Sequence, residues 1–563
     1  MRQAAQTTEN TTARRSTRDA GAAKITGDPR ESTQASPTAL RPASVTDATL
    51  EKLVGLVSRR RSQMGGLLSG EMSTARAPFT LEGTRAVPIS TPEDVMEAVA
   101  SARAAQHAWA ARPFRERAAV ALSFHDALLA RENEVLDLIQ WETGKARFHA
   151  YQEIVQVAML ARHYARRGAK YLEERGHRGF LVGLTKVREV RVPLGVVGII
   201  SPWNYPLYLG IGDAIPALLA GNAVVSKPDS QTALTLLLAR ALMIEAGLPE
   251  DLWQIVVGEG DVVGSALVDS VDYVGFTGST ATGRAVAERA ARRLVGVSLE
   301  LGGKNPLIVC DDADLDAAVQ GTLLGAFTNA GQMCIHLERA YIHEKVYEPF
   351  VAKLIDATRS LVLGQAYDYS AEIGCLVSSR QLGRVEAHVA DATQKGARVL
   401  CGGRHRPDLG PLMFEPTLLE GVTPGMAMYA DETFGPVLAL YRVSSDDEAI
   451  GAANDSQFGL SASIWSRNLR RAESIARRVK CGAVNVNDGA AAAAGSIEAP
   501  MGGMRNSGLG RRHGADGIRK YTESQTIAVQ RGVPLAPPKG LTLASYTGFI
   551  TKQLKMMRAL GVR

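Results

Sequence analysis

From about residue 72 to residue 530 the chain alternates short apolar runs with stretches of helical periodicity, and no Pro/Ser-rich linker interrupts them. Residues 196–200 read as a buried strand, followed by a helix that ends at Gly221-Asn222. Residues 223–226 form the next strand, and a helix follows over about 232–246. Runs at 254–257, 273–276 and 298–301 continue the rhythm. Apolar strands separated by helical patterns are the mark of βαβ units on a parallel sheet, because a strand covered on both faces has no polar side. Such sheets bind ligands at the C-terminal ends of their strands. A second alternating series begins at 305–310 and runs to about Pro500, enough for another α/β domain. No internal repeat is visible.

Outside that body the pattern changes. Residues 1–45 are rich in Thr, Ala, Arg and Ser and nearly free of large apolar side chains, so they read as a disordered basic tail. Over 46–72, Leu50, Leu53, Val54 and Val57 recur at helical spacing ahead of Arg59, Arg60 and Arg61, an amphipathic helical lead-in that docks on the body. Residues 179–192 and 521–529 alternate as strands do. Within 531–563, Phe549, Ile550, Leu554, Met557 and Leu560 share a helical face flanked by Lys552, Lys555 and Arg558. This basic amphipathic C-terminal tail suits docking on an oligomer or, more weakly, contact with a membrane surface.

Composition narrows the class. With 563 residues, 45% hydrophobic and 22% charged, the chain holds about three compact units, which excludes a small disulfide-stapled scaffold and a disordered protein. Cys310, Cys334, Cys375, Cys401 and Cys481 are scattered, and without a CxxC pair or HExxH helix no metal site is expected. The compartment reads as reducing and cytoplasmic, since no run of about 18 apolar residues could span a bilayer and no secretory signal opens the chain. The net charge of +6 would suit a nucleic-acid binder only if it were clustered on the body. Residues 1–45 carry a net +3 and residues 531–563 a net +6, which leaves about −3 for the rest, so no nucleic-acid partner is expected.

Two glycine-rich turns invite a phosphate reading. The spacing Gly258-Glu259-Gly260-Asp261-Val262-Val263-Gly264 is one residue too long for a dinucleotide fingerprint. In Gly278-Ser279-Thr280-Ala281-Thr282-Gly283, Arg284-Ala285 replaces the Lys and Ser/Thr of a P-loop, yet a small-residue turn opening a helix still offers free N–H groups to an anion.

Six segments taken together carry more. They are Ser201-Pro202-Trp203-Asn204-Tyr205-Pro206, Ser226-Lys227-Pro228-Asp229-Ser230, Phe276-Thr277-Gly278-Ser279, Glu300-Leu301-Gly302-Gly303-Lys304-Asn305-Pro306, Gly331-Gln332-Met333-Cys334 and Glu432-Thr433-Phe434-Gly435-Pro436. In this combination and order they resemble the NAD(P)-dependent aldehyde dehydrogenase superfamily over about residues 75–530. The resemblance implies an α/β fold with a Rossmann-like cofactor-binding domain (73–176 and 194–302), an α/β catalytic domain (303–503) and a small β oligomerisation element (177–193 and 504–530). It also implies a homodimer or homotetramer.

The chemistry fits the residues. Oxidising an aldehyde by hydride loss needs a tetrahedral centre, and a thiolate is a strong nucleophile for making one. The resemblance assigns this role to Cys334; the other four cysteines read as inert core residues. The oxyanion that develops needs donors already in place, in the family the Asn204 amide and the Cys334 backbone N–H. Glu300 matches the base that activates water against the thioester. A glutamate there favours release of a free acid over acyl transfer to coenzyme A.

For the cofactor, the resemblance carries Lys227 to the adenosine ribose, Gly278 and Ser279 to the pyrophosphate, and Glu432 to the nicotinamide ribose. Trp203 and Leu301 go with the nicotinamide pocket, and Asn204 and Phe434 are further cofactor-binding residues. NAD-preferring relatives often have Glu where this chain has Ser230; a neutral hydroxyl beside Lys227 accepts a 2′-phosphate, so NADP is expected, with NAD possible. The stretches around Met501-Gly502-Gly503-Met504, Gly510-Arg511-Arg512-His513-Gly514 and Lys520-Tyr521-Thr522-Glu523-Ser524 look most like NADP-dependent succinate-semialdehyde dehydrogenases. Ser496 matches a serine of their substrate pocket. Their two carboxylate-reading arginines fall here on Gly212 and Thr328, whereas Tyr208, Leu209 and Met333 make an apolar mouth suited to aromatic or aliphatic aldehydes. Two enzyme readings therefore stand: succinate semialdehyde, or a larger apolar aldehyde. A non-catalytic protein on the same fold is the third reading, against which the presence of both Cys334 and Glu300 weighs.

Overall fold

The computed structural model describes residues 41–58, 70–179, 185–531 and 536–561. The apolar runs form a six-stranded sheet in the order Gly508–Leu509, Gly296–Glu300, Tyr273–Thr277, Val196–Ser201, Ala223–Pro228, Trp253–Ile255. All neighbours are parallel except the first pair, so the strand C-termini share one edge. The helix Pro206–Leu219 is buried along its whole length, which explains why its sequence is apolar on every side. On the helix Arg147–Leu172, Ala150, Ile154, Val157, Ala161 and Tyr164 form the buried stripe, and this helix packs against Pro206–Leu219 and Phe114–Ala130.

The second series forms a seven-stranded sheet in the order Arg398–Cys401, Thr417–Glu420, Val437–Val443, Leu337–His343, Asn305–Val309, Ser461–Trp465, Ala483–Val486. It is parallel apart from its first pair. Each sheet has its own large apolar cluster. A third sheet, Thr522–Gln530, Thr185–Pro193, Arg175–Arg178, is antiparallel and exposed along much of its length.

Three boundaries differ from the sequence reading. The expected disordered tail lies outside the described residues up to residue 40, but 41–45 are packed: Val45 is buried and the Ser44 hydroxyl donates to Asp137 at 2.6 Å. The lead-in helix is Asp47–Val54, capped by Thr46 and sunk into the core through Leu50, Leu53 and Val54, whereas Arg59, Arg60 and Arg61 lie outside the described residues. Residues 504–521, grouped with the oligomerisation strands on the resemblance, instead add to the first domain. Gly508–Leu509 pairs with Glu300 and Leu299, and the helix Gly514–Arg519 packs on Arg147–Leu172. A two-residue strand carries no periodicity, so nothing local announced it. Of the C-terminal tail, Leu543–Ala559 is helical and buries none of its residues. Among the described residues no helix is long and apolar enough to cross a membrane.

Candidate active site

The edge of the first sheet delivers the chemistry. Val196–Ser201 runs into Pro202-Trp203-Asn204, Tyr273–Thr277 into Gly278-Ser279, and the next strand ends on Glu300 itself. There the structure opens a cleft of about 190 Å³, whose lining includes Trp203, Asn204, Gly278, Ser279, Glu300, Leu301, Cys334, Glu432 and Phe434. Segments more than 200 residues apart in sequence thus meet around one cysteine.

Cys334 stands on a loop with three consecutive left-handed residues, Asn329 (φ 54°), Ala330 (φ 52°) and Gly331 (φ 70°). This conformation costs a non-glycine residue about 1–2 kcal/mol. At Gly331 no side chain fits at all, since a Cβ would stand 2.0 Å from the Gly435 carbonyl oxygen. Hydrogen bonds hold the strained turn: the Asn329 amide donates to the Asn204 and Gln332 carbonyls at 3.1 Å each, and the Val377 N–H donates to Gln332 Oε1 at 2.9 Å. The Asn204 amide donates to the Gln332 carbonyl at 3.0 Å, which fixes its orientation and leaves its second N–H for a ligand oxygen. Asn305 clamps the other side, donating to the Cys334 carbonyl at 2.8 Å.

Electrostatics sets the predicted nucleophile and base apart. Burial pushes the Cys334 thiol up to about 12, and the Glu300 and Glu432 carboxylates add to the shift, so at rest it is a thiol that needs a base. Burial raises Glu300 to about 7, the value a general base working near neutrality should have; Arg512 and Lys520 pull in the opposite direction. Behind Glu300 lies a cationic network: Arg512 is bonded to Asp213 and to Thr277 Oγ1 (2.5 Å), and Lys520 Nζ and the Tyr521 hydroxyl reach Asp213 Oδ1 at 2.9 and 2.6 Å.

Several supports had no sequence signal of their own. Lys145 Nζ donates to the Asn204 carbonyl at 2.7 Å and pairs with Glu153 at 2.6 Å, both fully buried. Glu153 in turn accepts the Leu207 and Tyr208 N–H groups, capping the helix behind Asn204. Glu338, paired with Lys304, accepts the N–H groups of Thr433 and Phe434, and Glu432 accepts the Gly303 N–H at 2.9 Å. Gln381 and Arg384, one turn apart on the helix Ser379–Gln394, line the cleft and donate to carbonyls of 432–434. Such partners are joined by the fold alone.

Of the predicted apolar mouth, Leu209 lines the cleft, and the remaining predicted residues lie off its lining. Lys227 ends the strand Ala223–Pro228; burial lowers its proton affinity, and its Nζ reaches the Pro228 carbonyl at 3.3 Å. Ser230 sits one turn on, 3.5 Å from the Gly258 carbonyl. A Cβ at Gly264 of the rejected fingerprint would stand 3.7 Å from Lys227 Cδ, so that turn frames the lysine. Tyr208 is buried and hydrogen-bonded to His513 Nε2 at 2.6 Å; Met333 is half-buried and accepts from the Tyr205 hydroxyl; Ser496 is half-buried. Cys310, Cys375, Cys401 and Cys481 are buried, and all five cysteines are free. Among the described residues no cluster of His, Cys, Asp and Glu could hold a metal ion.

Residues 69–527 match the model of the aldehyde dehydrogenase family, and the chain belongs to that family. A Mycolicibacterium smegmatis protein named "putative succinate-semialdehyde dehydrogenase" for NADP(+) is 50% identical over 86% of this chain and 94% of its own length. The Escherichia coli NADP(+) succinate-semialdehyde dehydrogenase GabD is 35% identical over 82% of this chain and 95% of its own. The crystal structure of succinate-semialdehyde dehydrogenase from Burkholderia pseudomallei superposes with a TM-score of 0.79 at 34% identity, covering 82% of this chain and 95% of that one. The aldehyde dehydrogenase fold follows.

Proposed function

We propose that this enzyme oxidises succinate semialdehyde to succinate with NADP, using Cys334 as nucleophile, Glu300 as base and Asn204 as oxyanion donor. The observation that carries the reading is the meeting of those three groups in one cleft, with a carboxylate raised to about 7 beside a thiol raised to about 12.

Glu300, ionised above its own pKa, takes the thiol proton, and Cys334 Sγ bonds to the aldehyde carbon. The negative charge moves to the former carbonyl oxygen, which meets the free N–H of the Asn204 amide and the Cys334 backbone N–H. A nicotinamide dinucleotide bound in the cleft supplies the acceptor for the hydride that leaves this carbon. A thioester on Cys334 remains. Glu300 passes the thiol proton to solvent and, ionised again, takes a proton from water, whose oxygen bonds to the thioester carbon; the C–S bond breaks, Glu300 returns that proton to the Cys334 thiolate and the free acid leaves.

The residues present fit a phosphorylated dinucleotide. A Cβ at Gly302 would stand 2.5 Å from Glu432 Oε2, so only backbone fills that part of the wall. The N-terminus of the helix Thr280–Ala291, with Ser279 as its cap, offers N–H groups to a pyrophosphate. Lys227 and Ser230 supply a cation and a hydroxyl for a 2′-phosphate; Asp229 and Glu259 act electrostatically on Lys227, which moderates rather than removes the attraction.

The names of the relatives support the semialdehyde. Neither position of the relatives' carboxylate-reading arginines carries a cation: Gly212 faces Tyr208 and Leu160, and Thr328 is buried at the loop kink. This keeps the apolar-aldehyde reading as the alternative. Initial rates with NADP on succinate semialdehyde, benzaldehyde and a medium-chain aldehyde decide between them: higher kcat/KM on the semialdehyde is expected, and a preference for the neutral aldehydes overturns the substrate assignment.

A further inference from the structure

The helix Leu543–Ala559 lies beyond the family match, which ends at residue 527, and none of its residues is buried. At 100° per residue, Met556, Phe549, Leu560, Tyr546, Met557, Ile550, Leu543 and Leu554 share one arc of roughly 160°, broken only by Gln553. Lys552, Lys555 and Arg558 fall on the opposite arc among Ala, Gly and Thr. The apolar side faces solvent, with Phe549 55%, Leu554 58% and Leu560 68% exposed. Residues 531–563 hold six Lys and Arg and not one Asp or Glu.

We propose that this helix lies in the headgroup layer of an anionic lipid bilayer and brings the enzyme to that surface. Its apolar arc supplies the buried face, and three cations along the other side supply attraction to lipid phosphates. Charge complementarity selects this occupant. Packing on a second copy would bury the same apolar arc but would set the tail's cations against a body whose charge of about −3 is spread over residues 46–530, whereas the dense phosphates of an anionic lipid surface match the cations and its acyl layer takes the apolar arc. With about 0.8 kcal/mol for each CH₂ buried, an arc of this size gives reversible binding rather than permanent anchoring.

Co-sedimentation with sucrose-loaded vesicles tests this, using the purified full chain and the F549E/L554E variant. Vesicles of phosphatidylcholine are compared with vesicles containing roughly one third phosphatidylglycerol. The full chain is expected to pellet with the anionic vesicles, to release as salt is raised, and to stay in solution with phosphatidylcholine alone. The double variant should bind at least about tenfold more weakly while its steady-state rates stay unchanged, since no residue of this helix lines the cleft. A full chain that stays in solution with anionic vesicles overturns the proposal, as does a variant that pellets like the parent. Binding equal on both vesicle types removes the lipid charge from it. A fall in solution mass of the variant without vesicle binding by the parent assigns the helix to a second copy instead.

Discussion

Arg512 is bonded to Asp213 across 299 residues of sequence, directly behind the strand end that carries Glu300. With Lys520 the network holds two cations against one carboxylate, so an ionised Glu300 completes its charge balance. The pairing is therefore placed to tune the proposed base as well as to hold the fold together.

That gives a signed pH prediction. Glu300 must be ionised to act, so activity rises with pH through its value of about 7. Arg512→Met removes a charge that favours the ionised form, and the acid limb of the rate profile moves to higher pH by about one pH unit. Asp213→Asn removes a charge that disfavours it, and the limb moves to lower pH. Two variants shifting in the same direction would contradict the tuning role.

The legibility of this site divides along a physical line. Trp203, Asn204, Glu300, Cys334, Glu432 and Phe434 were readable because each lies in a short motif whose backbone shape and chemistry are local. Lys145, Glu153, Glu338 and Arg512 were not. Each is an ordinary charged residue until the fold brings up what it holds, 59 residues away for Lys145–Asn204, 54 for Glu153–Leu207, 34 for Lys304–Glu338 and 299 for Arg512–Asp213. The alternating pattern likewise gave the parallel strands of both sheets but not the edge strand Gly508–Leu509, which is too short to have a period.

The Lys145–Glu153 pair is fully buried and joins Asn204 to its helix. Lys145→Met leaves the Glu153 carboxylate without its cation and frees the Asn204 carbonyl. A loss of about 3–5 kcal/mol is expected, read as a lowered Tm, together with a fall in kcat as the oxyanion donor loosens. An unchanged melting curve would show that the pair contributes little.

Ser230→Glu places a carboxylate near Lys227, where a 2′-phosphate is proposed to bind. The KM for NADP should rise at least about tenfold and that for NAD much less, because only the former meets like charge. Equal effects on both would remove Ser230 from cofactor choice.

The strand Thr522–Gln530 pairs on one side with Thr185–Pro193 and presents Ile527 and Val529 37% and 40% exposed. An open edge of this kind suits pairing with a second copy. I527K/V529K should lower the mass seen by light scattering toward that of a single chain; an unchanged mass would place the assembly contact elsewhere.

The most direct test of the catalytic assignment is a rapid-mixing measurement of dinucleotide reduction by the Glu300→Gln variant with NADP and succinate semialdehyde, at a pH high enough for the thiolate to form without its base. A burst of no more than one equivalent per chain, followed by almost no turnover, is predicted, since Cys334 still forms the thioester and nothing activates the water that clears it. Steady turnover at the parent rate would contradict the roles given to Glu300 and Cys334.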